Sequence, residues 1–161
     1  RIRGQLENMA YQDALTGLLN RRGLFEKLAE LIKGNGGFCL YYLDLNEFKL
    51  FNDTYGHNVG DRVLQVFAEE VQNHMSFRHI FARVGGDEFI IIAQGSEREE
   101  KTEKFLGDIR AALRSRAVVD GDDIRISFSV GQAVYPRDGK DVDALIAHAD
   151  GGMYKEKRAR T

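Results

Sequence analysis

The stretch IFARVGGDEFIIIA, residues 80–93, consists of two short apolar runs separated by two glycines and two acidic residues. Apolar β-branched and aromatic residues favour strands, and a glycine pair between two such runs favours a tight turn. The stretch therefore predicts a β-hairpin with strands at residues 80–84 and 89–93. Asp87 and Glu88 directly follow the glycines, so two carboxylates are expected at one end of the hairpin.

Strands and helices are predicted to alternate on both sides of this hairpin. Residues 38–43 form an apolar run typical of a strand buried on both faces, and the run ends at Asp44. A helix with breaks near Gly56 and Gly60 is expected between this strand and the hairpin. Beyond the hairpin we expect another helix, a half-buried strand at residues 124–130 and a last helix.

From the first strand onward, this order predicts an α+β fold with a ferredoxin-like β-α-β-β-α-β sheet flanked by helices. Two further helices are expected before it, at residues 3–12 and after Asn20, which is suited to be an N-cap. In this topology the first two strands are parallel and the third lies antiparallel between them. The end of the first strand and the hairpin turn then share one edge of the sheet, so Asp44, Asp87 and Glu88 are predicted to converge.

The composition is that of one globular domain. The chain has 161 residues, of which 43% are hydrophobic and 30% charged, which excludes a disordered, collagen-like or rod-shaped chain. The net charge of −2 gives no overall basic field, so neither nucleic acid nor a membrane surface is an expected partner. Cys39 is the single cysteine, which excludes an internal disulfide and indicates a buried thiol.

The cellular context is predicted from the ends and the longest apolar run of the chain. Residues 38–43 are too few to cross a bilayer, and no signal peptide is visible. We therefore expect a cytoplasmic domain. Because the chain begins with Arg1 rather than Met, we expect it to be part of a longer protein.

Clustered carboxylates need a positive charge among them, because they repel one another and raise one another's pKa. Oxygen ligands favour Mg²⁺ or Mn²⁺, and these ions also bind phosphate oxygens. The acids therefore predict a metal–phosphate site, where an ion would activate an attacking hydroxyl and neutralise a leaving pyrophosphate. The alternative is a hairpin turn with solvated acids. Asp44 counts against it, since an acid directly after six apolar residues is an unusual strand end.

Residues 85–89, Gly-Gly-Asp-Glu-Phe, match the signature of the GGDEF domains, the diguanylate cyclases, and further motifs resemble this family over nearly the whole chain. They lie at residues 13–22, 43–61 and 129–131, and at Ala149-Asp150 with Met153, Tyr154 and Lys157. The resemblance implies a palm-type, nucleotidyl-cyclase-like domain over residues 13–161, preceded at residues 1–12 by the end of a linker or signalling helix from an upstream sensor. It also implies an enzyme that condenses two GTP into cyclic di-GMP and releases two pyrophosphates.

The resemblance assigns the metal and catalytic roles residue by residue. Asp44 and Asp87 would hold Mg²⁺ or Mn²⁺, with the backbone carbonyl of Leu45 as the third protein ligand. Asp87 also resembles the base that accepts the 3′-hydroxyl proton, and Glu88 is implied to be a second metal ligand or an orienting group. Lys49 resembles the cation that stabilises phosphate charge; without the motif it would be a solvated lysine at a helix start.

The resemblance also implies a set of substrate-binding residues: Asn52, His57, Asp61, Phe48, Lys49 and Lys157. Asn52 and Asp61 resemble the guanine readers, because one carboxylate can accept from both N1–H and N2–H₂ of guanine, whereas N1 of adenine is an acceptor. Asp61 would otherwise be a helix N-cap, and His57 would otherwise hydrogen-bond the loop. Backbone amides at residues 47–49 would face the triphosphate if a helix begins there.

Two departures from the family pattern concern the substrate site. Lys157 resembles a phosphate-binding lysine, but the glycine and arginine usual three and four residues later are absent, so Arg158 or Arg160 is the candidate second cation. Asn46 and Glu47 stand where an Asp and a non-acidic residue are more usual, and we expect both to act mainly through the backbone.

A third departure predicts altered regulation. Many family members carry an Arg-x-x-Asp product-inhibition motif before the signature, and the corresponding residues here are Ser76, Phe77, Arg78 and His79. We therefore predict that the domain lacks the primary site at which cyclic di-GMP inhibits. Calorimetric titration with cyclic di-GMP checks this, and tight binding that Arg78→Ala abolishes would contradict it.

Three functions remain open from the sequence. Because one site holds one GTP, a cyclase would work as a symmetric homodimer with two sites facing each other. A catalytically silent GTP-binding module that regulates an attached domain is the alternative. Another palm-like nucleotidyl transferase is the third, which the full signature and the pair Asn52 and Asp61 disfavour.

Overall fold

The computed structural model describes residues 10–95, 99–119, 121 and 124–159. Its helices and strands, in chain order, are α1 (Arg21–Lys33), β1 (Phe38–Leu45), α2 (Phe48–Tyr55), α3 (His57–His74), β2 (His79–Arg83), β3 (Glu88–Gln94), α4 (Glu99–Arg114), β4 (Phe128–Tyr135) and α5 (Val142–Ala159). The helix predicted at residues 3–12 lies largely outside the described residues. Within the described ranges, no helix has both the length and the hydrophobicity to cross a membrane.

The four strands form one sheet in the order β2-β3-β1-β4, and every neighbouring pair is antiparallel. β1 and β2 therefore run parallel with β3 between them, which confirms the predicted β-α-β-β-α-β topology. The hairpin turn and the last residues of β1 lie at the same edge of the sheet, since Asp44 pairs with Glu88.

The sheet is covered by helices on both faces. On one face, buried side chains of α3 and α4 pack with Tyr41, Leu43 and Phe89. On the other face, buried side chains of α1 and α5 pack with Leu40 and Ile90. A strand covered on both faces must be apolar throughout, which explains the uninterrupted run at the start of β1.

Two boundaries differ from the sequence-based expectation. The last strand begins at Phe128 rather than at residue 124, because its partner β1 already ends at Leu45, which pairs with Phe128. Ile124 and Ile126 are buried nevertheless, so their alternation reflects core packing outside a strand. The break at Gly56 is present, but Gly60 lies inside α3.

Candidate metal and nucleotide site

Two acids meet at the edge of the sheet where β1 ends and β3 begins. Asp44 is the next-to-last residue of β1 and is opposite Glu88, the first residue of β3. Just beyond this pair, the backbone N–H of Leu45 donates to the carbonyl of Asp87 at 3.1 Å. The Asp44 carboxylate is close enough to Asp87 to raise the pKa of Asp87, so the strand order brings together two acids that are 43 positions apart in the sequence.

The pair carries uncompensated negative charge. Burial, together with the neighbouring Asp44 carboxyl, raises the pKa of Asp87 to about 6. Oδ1 of Asp44 is buried and receives no hydrogen bond from any described donor. Two ionised carboxylates cannot donate to each other, so either a proton or a cation is needed between them.

A metal-free protein should therefore become less stable as Asp87 ionises. Its folded-state pKa lies above the ordinary value of 3.8, so stability falls as the pH rises from about 4 to about 6 and stays lower above that range. Asp87→Asn should remove this loss and stabilise the protein in EDTA at pH 8 by about 1 kcal/mol, a figure reduced for solvent screening. Urea unfolding at pH 4 and pH 8 measures it. If Asp87→Asn is less stable than the wild type at pH 8, then the ionised Asp87 does not destabilise the folded protein.

Lys157 supplies the positive charge that the pair has in this structure. Its Nζ lies 2.6 Å from Oδ2 of Asp44, and the lysine side chain is 40% exposed whereas that of Asp44 is 12% exposed. Lys157 extends from the last turn of α5. One ammonium group balances one of two acids, so net negative charge remains when both are ionised.

Glu88, opposite Asp44 in the sheet, has side-chain contacts of its own. Oε2 of Glu88 accepts a hydrogen bond from the hydroxyl of Tyr42 at 3.1 Å. Its Oε1 lies 2.5 Å from the position that a Cβ on Gly85 would occupy, so the absent side chain makes room for it. Burial and the charge of Glu88 raise the pKa of Tyr42, which keeps its hydroxyl protonated as a donor. The three acids thus share one edge of the sheet, as expected, but within the described residues no three metal-ligating side chains cluster closely enough to hold one ion.

The donor set nevertheless fits a divalent cation. Asp44 offers a buried carboxylate oxygen with no donor, and Asp87 is adjacent to it. Hard oxygen ligands in a site with excess negative charge suit Mg²⁺ or Mn²⁺, which complete their shells with water and phosphate oxygens. The backbone of Leu45 is within the same hydrogen-bonded corner, so its carbonyl is suitably placed in the chain to be the third ligand.

The predicted phosphate-facing residues lie at the start of α2. The helix begins at Phe48, and Glu47 before it has a left-handed backbone with φ of 59°. Such a conformation is uncommon for a residue with a side chain and is often found near functional sites. Phe48 is half-buried against the core, while Lys49 is exposed and has no hydrogen-bond or ion-pair partner among the described residues. Free amides therefore occur where the resemblance expects the triphosphate.

Asn46 has a larger structural role than expected. Its side chain donates to Oγ of Ser127 at 3.0 Å and accepts from Oγ of Ser129 at 2.8 Å. The side chain therefore has a structural role in addition to the backbone role expected in the substrate site, which stays a prediction. These bonds tie the end of β1 to the start of β4 and hold the corner that contains Asp44.

The predicted guanine readers lie on α2 and α3. Asn52 lies against Gly60, since a Cβ on Gly60 would be 1.7 Å from Oδ1 of Asn52. Gly60 precedes Asp61, so the amide of Asn52 and the carboxylate of Asp61 belong to adjacent parts of the surface. Asp61 is exposed inside α3, whose N-cap is Gly56, so the N-cap alternative for Asp61 is excluded. His57 is the exposed first residue of α3 and makes no hydrogen bond within the described residues.

The family-like motif at residues 13–22 contacts the hairpin turn through Asp13 and Arg83. Nη1 of Arg83 donates to Oδ1 of Asp13 at 3.2 Å, and Nη2 donates to the carbonyl of Gly86 at 2.8 Å. Burial raises the pKa of Asp13, but hydrogen bonds from Thr16 and the charge of Arg83 outweigh it and hold this pKa below its ordinary value. The segment around Asp13 therefore fixes the turn that carries Asp87.

The structure also describes Arg158, one of the two candidate second cations, and His79, which stands where the inhibition motif has its aspartate. The guanidinium of Arg158 lies over the ring of Tyr154, 5.7 Å from its centre, while Arg160 lies outside the described residues. His79 stacks on Phe105 with 4.4 Å between ring centres, and both line a cavity of about 400 Å³. These contacts do not test product inhibition, so the absence of an inhibition site stays a prediction.

Sequence reasoning missed the contributions of Tyr42 and Gly60 and the ion pair of Lys157. Tyr42 lies within an apolar run and could not be distinguished from a core residue. The sequence predicts a helix break near Gly60, whereas a glycine inside a helix can also mark a close contact, as it does here with Asn52.

Known proteins are similar to this chain in sequence and in fold. The family profile described as "Diguanylate cyclase, GGDEF domain" matches residues 10–161. The bifunctional diguanylate cyclase/cyclic di-GMP phosphodiesterase MucR of Pseudomonas aeruginosa is 33% identical over 164 residues, which cover 98% of this chain and 23% of MucR. The cyclic di-GMP phosphodiesterase PdeR of Escherichia coli is 33% identical over 162 residues, which cover 98% of this chain and 24% of PdeR. The chain thus spans about a quarter of the length of these relatives.

A solved structure agrees with the sequence comparisons. The coiled coil and GGDEF domain of DgcB from Caulobacter crescentus, in complex with c-di-GMP, matches with a TM-score of 0.86 at 30% identity. The match covers 98% of this chain and 86% of that chain.

Proposed function

Because this chain belongs to the GGDEF domain family, we propose that it is a diguanylate cyclase, which condenses two GTP into cyclic di-GMP and releases two pyrophosphates. The observation that carries the proposal is the pair of Asp44 and Asp87 at one edge of the sheet, with a buried oxygen that lacks a donor. Such a pair suits a cation that binds triphosphate, and the residues that resemble guanine readers, the half-buried Asn52 and the exposed Asp61, are present on α2 and α3.

Each side chain has a role in this reaction. Mg²⁺ or Mn²⁺, when held by Asp44, Asp87 and the Leu45 carbonyl, supplies charge that activates the 3′-hydroxyl and stabilises the leaving pyrophosphate. Asp87 accepts the hydroxyl proton, as its place in the signature implies. Glu88, which Tyr42 fixes in one orientation, orients the attacking group. Lys49 balances phosphate charge as the transition state develops.

Substrate recognition divides between base and phosphates. Asp61 accepts from N1–H and N2–H₂ of guanine, and Asn52 completes the hydrogen bonds to the base. His57 lines the same pocket, and the free amides near Phe48 face the phosphates. Two such half-sites must face each other, so the active species is a symmetric homodimer in which each protomer presents one GTP.

A regulatory module is the second candidate function. The relative PdeR is named for another activity, that of a phosphodiesterase, and the part similar to this chain is only 24% of PdeR. A domain of this kind therefore also occurs within a protein with another named activity. In such a protein the domain would bind GTP without turnover and control an attached domain. The intact acids at the sheet edge favour turnover instead.

Incubation of an artificially dimerised form with GTP and Mg²⁺, followed by nucleotide chromatography, distinguishes these functions. A cyclase forms cyclic di-GMP, and Asp87→Ala abolishes the product. Binding of GTP without product would favour the regulatory module. A product that contains adenine in GTP/ATP mixtures would contradict the role of Asp61.

Gly60→Ala should weaken GTP binding about tenfold without unfolding the domain, a loss of about 1.4 kcal/mol. The new methyl group would lie 1.7 Å from Oδ1 of Asn52, so the end of this side chain must rotate away from its place against Gly60. Calorimetric titration with a non-hydrolysable GTP analogue measures the effect. Gly107→Ala is the matched control, because a Cβ there contacts nothing within 4 Å. Equal affinity of both variants would exclude Asn52 from base recognition.

A further inference from the structure

Lys157 contacts a different partner from the one that its place in the sequence implies. The resemblance assigns it to the phosphates of the substrate, yet its Nζ is 2.6 Å from Oδ2 of Asp44. Within the described part of the chain this is the one ion pair that Asp44 makes. The lysine therefore contacts a group that the proposed function assigns to the metal.

The geometry makes the lysine and a metal ion competitors. Oδ2 of Asp44 already accepts from the ammonium group, and a metal ligated by Asp44 at about 2 Å would lie within a few ångströms of that group. Two positive centres so close repel each other strongly in a partly buried site, because screening by water is weak there. The ammonium group must leave for the ion to bind well.

The lysine is also free to leave. Lys157 extends from the last turn of α5, which ends at Ala159, and its side chain is 40% exposed. An exposed lysine side chain has a flexible stem with several rotatable bonds. Asp44 cannot follow it, because it belongs to β1 and its side chain is 12% exposed.

We propose that Lys157 is a counter-ion that exchanges partners: it neutralises Asp44 in the metal-free domain and transfers to the substrate phosphates when metal and nucleotide bind. This inference rests on the proposed function for the identity of the ligands. It implies that metal alone binds weakly, since it must displace the lysine without providing it with a new partner. A nucleotide provides that partner, so each ligand strengthens the binding of the other by the same factor.

Titration with Mn²⁺, with the free ion followed by electron paramagnetic resonance, tests the exchange in the presence and absence of a non-hydrolysable GTP analogue. In the wild type, the analogue should strengthen Mn²⁺ binding at least tenfold. Lys157→Gln should bind Mn²⁺ alone about tenfold more tightly than the wild type, and the effect of the analogue should shrink. Lys155→Gln is the matched control on the same helix, since Lys155 is exposed and outside the site.

Two results would overturn the proposal: Mn²⁺ alone binding to Lys157→Gln no more tightly than to the wild type, or an analogue effect below twofold in the wild type. The second result needs no variant, so a folding defect in Lys157→Gln leaves the proposal testable, and Lys157→Met provides an independent substitution. A domain that makes no cyclic di-GMP but shows the Lys157-dependent coupling would contradict the cyclase proposal and support the exchange. Product formation without the coupling would do the reverse.

Discussion

Asp44→Asn should lower the rate of cyclic di-GMP formation by at least about 10³-fold, which corresponds to about 4 kcal/mol of lost transition-state stabilisation. The substitution keeps the size of the side chain but removes the charge that a cation needs at the buried corner of β1. Product formation by a dimerised form, followed by chromatography, measures the loss.

The fold should survive this substitution. An amide at position 44 still accepts a hydrogen bond, and Lys157, which is 40% exposed, can turn to solvent. Asp108→Asn is the matched control, because Asp108 is an exposed acid on α4. Activity of Asp44→Asn within tenfold of this control would mean that the acid pair does not hold the catalytic ion.

Gly131→Ala should destabilise the domain by about 3 kcal/mol, because the added methyl group has no space. A Cβ on Gly131 would lie 1.9 Å from the carbonyl oxygen of Ala149 and 2.3 Å from the amide nitrogen of Met153. Both are backbone atoms of α5, so the helix itself must move away from β4. A chain of this length should then melt roughly 6–12 °C lower.

Gly151→Ala provides the control on the facing helix. A Cβ there contacts nothing within 4 Å, and alanine favours a helix over glycine by about 0.5–1 kcal/mol, so this variant should be slightly more stable than the wild type. Calorimetric melting of both variants measures the contrast. A melting temperature of Gly131→Ala equal to that of the wild type would show that α5 does not depend on this close contact. Displacement of α5 should also separate Lys157 from Asp44.

The parts of the site that follow from strand order could be predicted, whereas those that depend on side-chain direction could not. Asp44 and Asp87 were placed together because an apolar run ending in an acid and a hairpin with acids at its turn determine which strand ends meet. Glu88 lies opposite Asp44 as the strand order implies, but the sequence does not reveal that its carboxylate accepts a hydrogen bond from the hydroxyl of Tyr42. The ion pair of Lys157 with Asp44 joins positions 113 residues apart and depends on how closely α5 approaches β4.

Boundaries were less predictable than topology for a similar reason. The alternation at residues 124–130 indicates a strand, but a strand needs a partner, and β1 ends opposite Phe128. Gly60 weakens a helix by propensity alone, yet α3 continues through it, because eighteen residues with a buried apolar face outweigh one unfavourable position. Pairing partners and packing faces therefore determined the elements that local patterns left open.

The central claim is that Asp44 and Asp87 together bind the divalent ion that contacts the phosphates of GTP. The most direct measurement is the anomalous difference map of a crystal grown with Mn²⁺ and a non-hydrolysable GTP analogue. We expect a peak about 2 Å from carboxylate oxygens of both residues and from the Leu45 carbonyl, in contact with the phosphates. A bound analogue whose Mn²⁺ lies away from Asp44 or Asp87 would contradict the claim.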